Sequence, residues 1–240
     1  MKNRLDRELV NRGLVESREK AQALIMAGEV RVNGQKASKA GQPVDAEAAL
    51  EVLAPPPYVS RGGYKLAAAL RNFAIDVGGA VCLDVGSSTG GFTDALLQAG
   101  AARVHAVDVG AGQMAWQLRT DGRVVLHEGI NARALKFEDI GEPARLAVLD
   151  LSFISVTLVL PAVVALLQPD GQLVILIKPQ FEAGKEQVGK GGIVRDAQVH
   201  RAACERVDKA VREFGFATNI MDSPILGAEG NREFLLHAHH

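Results

Sequence analysis

The chain has 240 residues, of which 48% are hydrophobic and 23% charged, and its net charge is −1. That length can bury one large core or a medium core with a small appendage, and the composition excludes a disordered or fibrous chain. Two cysteines, Cys82 and Cys204, offer neither a disulfide framework nor metal-ligand spacing, so a reducing compartment and no metal are expected.

The first eight residues are charged and no apolar run follows them, so no signal peptide is expected at this start. The most apolar region, 151–167, contains Ser152, Ser155, Thr157 and Pro161 and reads as a buried loop plus helix, not a membrane span. A cytoplasmic protein is the expectation.

The net charge conceals an asymmetry. Residues 1–40 hold nine Lys or Arg against five Asp or Glu, whereas the other 200 hold 18 against 23. A basic head on a mildly acidic body suggests a polyanion-binding module joined to something else, and the alternative is a merely solvated surface. Within the head, Leu5, Leu9 and Val10 form one helical face that Gly13 can stop. Ser17 can cap a second helix with Ala21, Leu24 and Ile25 inward, ending at Gly28. Alternating Val30 and Val32 then run into Asn33-Gly34, a strong hairpin signal. The order "RLDRELVNRGLVESREKAQALIMAGEVRVNG" resembles an S4 RNA-binding domain over 1–53. That resemblance implies phosphate and shape contacts to structured RNA, with Arg4, Arg7, Arg18, Lys20 and Arg31 as candidate contacts.

"APPPY" cannot continue a strand or helix, because consecutive prolines fix φ and remove donors. It reads as a stiff spacer over 54–59 that leaves 60–240 as the second domain.

Short apolar runs at 81–84, 104–108, 124–127, 146–149 and 173–177 follow, separated for the most part by helical stretches near 91–99, 112–119, 156–167 and 197–214. Such alternation predicts a parallel sheet covered on both faces. The runs 217–220 and 233–237 close the chain and can end it with an antiparallel strand, for an α/β, Rossmann-like sheet of seven strands beside a small α+β head. The terminal "HAHH" reads as an expression remnant or a frayed tail, with stray metal binding the weaker reading.

The run "VCLDVGSSTGG" passes from strand to glycine turn to helix, as nucleotide-type cofactor sites do. Asp84 ends that strand and Asp108 the next, at the spacing of a ribose-diol acceptor, and Asn131 follows the third. An acid at Asp84 would repel a dinucleotide's pyrophosphate but attract the cationic ammonium and sulfonium of S-adenosyl-L-methionine. The alternative for Asp84 is a carboxylate that only caps backbone donors of the turn.

Asp150 follows the fourth strand, Lys178 the fifth, and Glu233 opens the last, which places all three at one sheet edge. Lys65, on a helix before the first strand, can lean over that edge. These four positions with "DVGSSTGGFTD" resemble the FtsJ-like ribose 2′-O-methyltransferases, and with the S4 head the chain resembles the TlyA family, known both as haemolysins and as 2′-O-methyltransferases of ribosomal RNA cytidines. The resemblance implies a Lys65–Asp150–Lys178–Glu233 catalytic tetrad and cofactor contacts at Asp84, Gly86, Ser87, Gly90, Asp108 and Asn131. Family members often carry Asp where this chain has Asn131. It also implies ribosomal RNA or ribosomal subunits as partner, 16S, 23S or both, and no membrane.

A ribose hydroxyl is a weak acid, so its proton must be drawn off as the oxygen attacks; Lys178 is the expected base, with Lys65 beside it and the two acids holding geometry. Structural ion pairs are the alternative for each of the four taken singly. Base methylation at an amino group would call for an Asn/Asp-Pro-Pro-aromatic turn where this chain has "DLSF", and carbon-5 methylation for an edge cysteine. The loop 179–196, rich in glycine, carries Lys185 and Lys190 as further RNA candidates and reads as a basic lid or an ordinary loop. A non-catalytic RNA-binding or assembly factor and a membrane-active haemolysin remain the other function classes.

Overall fold

The computed structural model describes residues 2–53, 57–227 and 230–240 in two compact units, 1–57 and 58–240. Residues 54–56 of the proline spacer lie outside the described residues.

The first unit contains β1 (Lys2–Arg4), α1 (Leu5–Asn11), α2 (Arg18–Ala27), β2 (Val30–Val32), β3 (Gln35–Lys36), β4 (Pro43–Asp45) and β5 (Leu50–Val52). Ser17 caps α2 by accepting the Lys20 amide, and Gly28 closes it in the left-handed conformation. Asn33 and Gly34, with φ of 51° and 78°, turn β2 back onto β3 as a primed hairpin turn requires. Leu5, Leu9, Ala21, Ile25, Val30 and Val44 form its core.

The second unit runs α3 (Gly62–Asn72), β6 (Val81–Val85), α4 (Gly91–Gln98), β7 (Arg103–Asp108), α5 (Trp116–Arg119), β8 (Val124–Glu128), α6 (Phe137–Ile140), β9 (Ala144–Leu149), α7 (Leu160–Val164), β10 (Leu167–Ile177), α8 (Pro179–Glu182), α9 (Ala197–Arg212), β11 (Ala217–Asp222) and β12 (Phe234–His239). One seven-stranded sheet has the order β11-β12-β10-β9-β6-β7-β8, parallel except for β12, which pairs antiparallel with both neighbours.

Successive strand residues serve opposite faces, as the pleat demands. Leu83, Val85, Ile175 and Leu236 pack with Val207 and Val211 of α9 and Leu160 of α7; Cys82, Val174, Leu176 and Leu235 pack with Leu66 of α3 and Leu96 of α4. Each fully buried leucine contributes roughly 2 kcal/mol. After β6 the chain builds β7 and β8 on one side, then returns to place β9 on the other. The carboxyl ends of β6 and β9 therefore flank the point where the winding reverses, the usual ligand crevice of such sheets.

Several boundaries differ from the sequence reading. The helix expected at 156–167 is a 3-10 turn (Val156–Leu158) followed by the five-residue α7, and Leu167 already belongs to β10. Pro161 lacks the amide that a helix continuing from Val156 would bond to the Thr157 carbonyl, so the chain starts again as α7 with the proline in its first turn. The helix expected at 112–119 is reduced to four residues, and Glu233 lies just before the last strand. The terminal histidines are not a frayed tail: His237 and His239 belong to β12, where they pair with Asn219 and Ala217 of β11.

Candidate active site

The sheet edge is assembled from strand ends. Ile177 pairs with Phe234, so Lys178 leaves β10 beside Glu233 as the latter enters the antiparallel β12. α3 carries Lys65, 8% exposed, to the same place, where its Nζ donates to Glu233 Oε2 at 2.6 Å. Lys178 Nζ donates to Ser152 Oγ at 2.9 Å and stands 2.6 Å from Asp150 Oδ1. That ionic contact is off the hydrogen-bond axis, so Oδ1 itself accepts no hydrogen bond. The four expected residues thus form two lysine–carboxylate pairs, and Lys65, Asp150 and Lys178 line one cavity of about 200 Å³ with Ser87 and Ser152.

A second cavity of about 480 Å³ shares the wall made by Gly86, Ser88, Asp150 and Ser152. Asp108, Gln113, Ile130, Asn131 and Phe153 complete it. Gly86 stands at the winding reversal with φ of 87°, and a Cβ there would lie 2.6 Å from the Asp150 carbonyl oxygen. Only glycine lets the two strand ends approach this closely. Gly90, at φ 93°, opens α4, and a Cβ there would strike Leu118 and Met114. Asp108 accepts from the Ser88 amide at 2.8 Å and the Gly110 amide at 2.7 Å, which fixes its carboxylate at the cavity wall. Asn131 accepts from the Arg133 amide at 3.1 Å, leaving its side-chain amide nitrogen beside the cavity.

Asp84 departs from the sequence reading. It shares the face of β6 that packs on α4, so its side chain points under that helix, and it lines neither cavity. Fully buried, it accepts the Thr93 hydroxyl at 2.6 Å through Oδ2, while Oδ1 has no hydrogen-bond partner. Burial, followed by the nearby Asp150 and Asp108 carboxylates, pushes its pKa up to about 7. Ser87, also buried, has an unpartnered Oγ at the smaller cavity.

The FtsJ-like methyltransferase profile matches residues 58–240, and the S4 domain profile matches 3–50. The chain belongs to the FtsJ-like methyltransferase family. It is 49% identical to the 16S/23S rRNA (cytidine-2′-O)-methyltransferase TlyA of Mycobacterium tuberculosis, over 97% of this chain and 88% of that protein. It is 43% identical to Hemolysin A of Brachyspira hyodysenteriae, over 98% of each. A solved structure of a candidate hemolysin from Streptococcus thermophilus superposes with a TM-score of 0.76 at 43% identity, covering 99% of this chain and 88% of that one.

FtsJ-like methyltransferases draw the methyl group from S-adenosyl-L-methionine, and the residues present fit that molecule. Asp84, Asp108 and Asp150 put three carboxylates around the glycine turn, an environment for a cation and against a pyrophosphate. The unpartnered Ser87 Oγ at the smaller cavity is a buried polar atom that a polar ligand group would satisfy, and Asp108 and Asn131 line the larger cavity.

The basic candidates separate into two kinds. Arg4 and Arg18 are bound to the buried Asp6, whereas Lys20 makes an exposed pair with Glu16. Arg7 and Arg31 are exposed with no ion pair among the described residues. In the loop after α8, Lys190 is exposed and Lys185 opens a short 3-10 turn. The loop is pinned at its far end, where Asn231 accepts from the Val194 amide and donates to the Gly192 carbonyl, and His200 contacts the Val194 carbonyl.

Phe153 was missed by sequence reasoning. It is 91% exposed at the mouth of the larger cavity, with φ of 65°, and its ring lies 5.2 Å from that of Phe181, over which Lys178 Nζ stands at 5.9 Å. A large exposed aromatic in a left-handed conformation is costly, and such outliers concentrate at functional sites. The "DLSF" run was the available signal.

Proposed function

We propose that the chain is an S-adenosyl-L-methionine-dependent 2′-O-methyltransferase acting on cytidine ribose in structured ribosomal RNA, 16S, 23S or both, in the cytoplasm. The observation that carries this reading is the pair of lysine–carboxylate contacts facing one small cavity against the wall of the proposed cofactor cavity.

The bound donor supplies an electrophilic methyl group on a sulfonium. Lys178, in its neutral form, takes the proton of the ribose 2′-hydroxyl as that oxygen forms its bond to the methyl carbon and the carbon–sulfur bond breaks. Asp150 and Ser152 hold the Lys178 amine at the cavity and receive the ammonium it becomes. Lys65, fixed by Glu233, presents a cation to the entering nucleotide. The exposed face of Phe153 offers a stacking surface for the base of the splayed-out nucleotide. Arg7 and Arg31 supply phosphate contacts for the folded RNA.

The test is to incubate the protein with donor labelled in the methyl group and each ribosomal subunit, then digest the RNA to nucleosides. Label in 2′-O-methylcytidine is the expected result. Label on a base or on protein, or none at all, would overturn the reading. Lysis of lipid vesicles by the pure protein would support a membrane-active role instead; among the described residues no helix is long and apolar enough to cross a membrane.

A further inference from the structure

β9 and β10 are parallel neighbours, and the loops that leave their carboxyl ends carry Asp150, Ser152 and Phe153 on one side and Lys178 and Phe181 on the other. Parallel strands share no hairpin, so nothing in the sheet ladder sets the distance between these two loops beyond the last pair. The Lys178 contacts cross the gap, but they belong to groups that must exchange partners during reaction.

One buried side chain crosses it elsewhere. Glu182, 4% exposed, ends the single helical turn that begins directly after Lys178. Its Oε2 accepts the Ser155 hydroxyl at 2.6 Å and its Oε1 accepts the Val156 amide at 2.8 Å. Its own carbonyl oxygen accepts from Arg206 Nη1 of α9 at 2.9 Å. Glu182 lines neither cavity, so neither donor nor nucleotide has reason to displace these bonds. Both carboxylate bonds are short and charge-assisted, the stronger kind.

We propose that Glu182 is the positioning residue that fixes the loop after β10 against the loop after β9, and thereby sets Lys178 opposite Asp150 and Phe181 against Phe153. The inference rests on the methyl-transfer reading of this site. A displacement of the base by about an ångström is enough to cost roughly a hundredfold in rate, whereas Gly86, Ser87 and Asp108 of the cofactor wall are built on other strands, with 150–154 of the larger cavity belonging to the braced loop. The brace therefore acts more on turnover than on cofactor affinity.

The experiment compares the full-length protein with its Glu182→Ala, Glu182→Gln and Ser155→Ala variants. Three quantities are measured: turnover on ribosomal subunits, cofactor dissociation constant by calorimetry, and hydrogen exchange over residues 152–158. In Glu182→Ala, kcat falls by about 30- to 100-fold while the cofactor Kd stays within about twofold, and the Val156 amide exchanges faster. Glu182→Gln restores most of kcat, because its amide oxygen can accept from Val156 and its NH2 can donate to the Ser155 oxygen. Ser155→Ala, which keeps the Val156 bond, loses only about three- to tenfold and decides the matter should Glu182→Ala not fold.

Wild-type turnover in Glu182→Ala would overturn the proposal, and so would a Glu182→Gln variant as impaired as the alanine one. Equal losses of turnover and cofactor affinity would reduce the residue to a general stabiliser and overturn it too. If the unaltered protein methylates no RNA, the methyl-transfer reading fails. The exchange comparison still decides the brace, and unchanged exchange in Glu182→Ala would remove it.

Discussion

Two buried aspartates, one in each unit, are driven in opposite directions. Asp6 in the S4 unit accepts from Arg4 Nε and Nη2, Arg18 Nε and Gln22 Nε2, and the hydrogen bond from Arg4 leads in holding its pKa well below the usual carboxylate range. Asp84 in the methyltransferase unit accepts from Thr93 and has one bare oxygen, and burial pushes its pKa up to about 7. The first is a finished polar network, which adds to the fold and has no capacity left for a ligand. The second lies at the base of a glycine turn among other carboxylates, where a cation would complete it. Saturation marks a structural charge cluster, and we propose that incompleteness marks a functional one.

The comparison can be broken, first, at the sheet edge. Replacing Lys178 by Met should lower methyl transfer by about a thousandfold or more, in the range of a lost essential acid–base group. Calorimetry should find the cofactor Kd within a few-fold of wild type. Retained turnover would show that this lysine–carboxylate pair is as structural as the Asp6 cluster. Phe153→Ala should reduce kcat/KM for RNA by roughly tenfold, the worth of one lost base–aromatic stack, with little change in melting temperature.

The opposite shifts of the two aspartates also give opposite pH dependence. Asp84, beneath α4 and outside both cavities, can act on a cationic donor only through its charge, so cofactor affinity should rise between pH 6 and pH 7.5, as the carboxyl titrates through about 7. Asp84→Asn should flatten that profile; a wild-type titration already flat would remove Asp84 from the cofactor site. With no cofactor, the raised value means the folded state holds the proton more tightly than the unfolded one, so Asp84 costs stability as pH rises from about 4 to 7. Asp6 has the reverse sign: its contribution is complete above the ordinary carboxylate range and is lost as pH falls below it. Asp6→Asn should accordingly lower the melting temperature of the S4 unit by several degrees at neutral pH and much less in acid, while turnover per folded molecule stays unchanged.

The smallest effect belongs to the unpaired cations. Arg7→Gln should weaken RNA binding by about two- to fivefold and reduce the magnitude of its salt slope by about one, measured by binding at several salt concentrations. Arg4→Gln should act mainly through melting temperature, because Arg4 is already engaged by Asp6.

Much of this was legible in the sequence. Short continuous apolar runs located the sheet, since burial on both faces leaves little choice of residue. The strand-end rule brought Lys178, Asp150 and Glu233 to one edge although they are far apart in the chain. What the sequence hid depends on side-chain direction and on distant partners. The alternation of β6 sends Asp84 under α4, a fact that a one-residue uncertainty in strand position obscures. Asp6 gathers Arg18 and Gln22 from the next helix, so counting basic residues overstated those free to meet RNA. Nothing in the letters "DLSF" marks Phe153 as exposed, yet it stands 91% exposed with φ of 65°. Glu182 looks like an ordinary loop acid until its two bonds to the neighbouring loop are seen.

The most direct measurement is a crystal structure of the protein with S-adenosyl-L-homocysteine, the product left after transfer. The account predicts adenosine along Asp108 and Asn131, the sulfur at the shared wall of the two cavities turned toward Lys178, and the amino group near Ser87. Product bound elsewhere on the sheet, or seated with its sulfur turned away from Lys178, would contradict it.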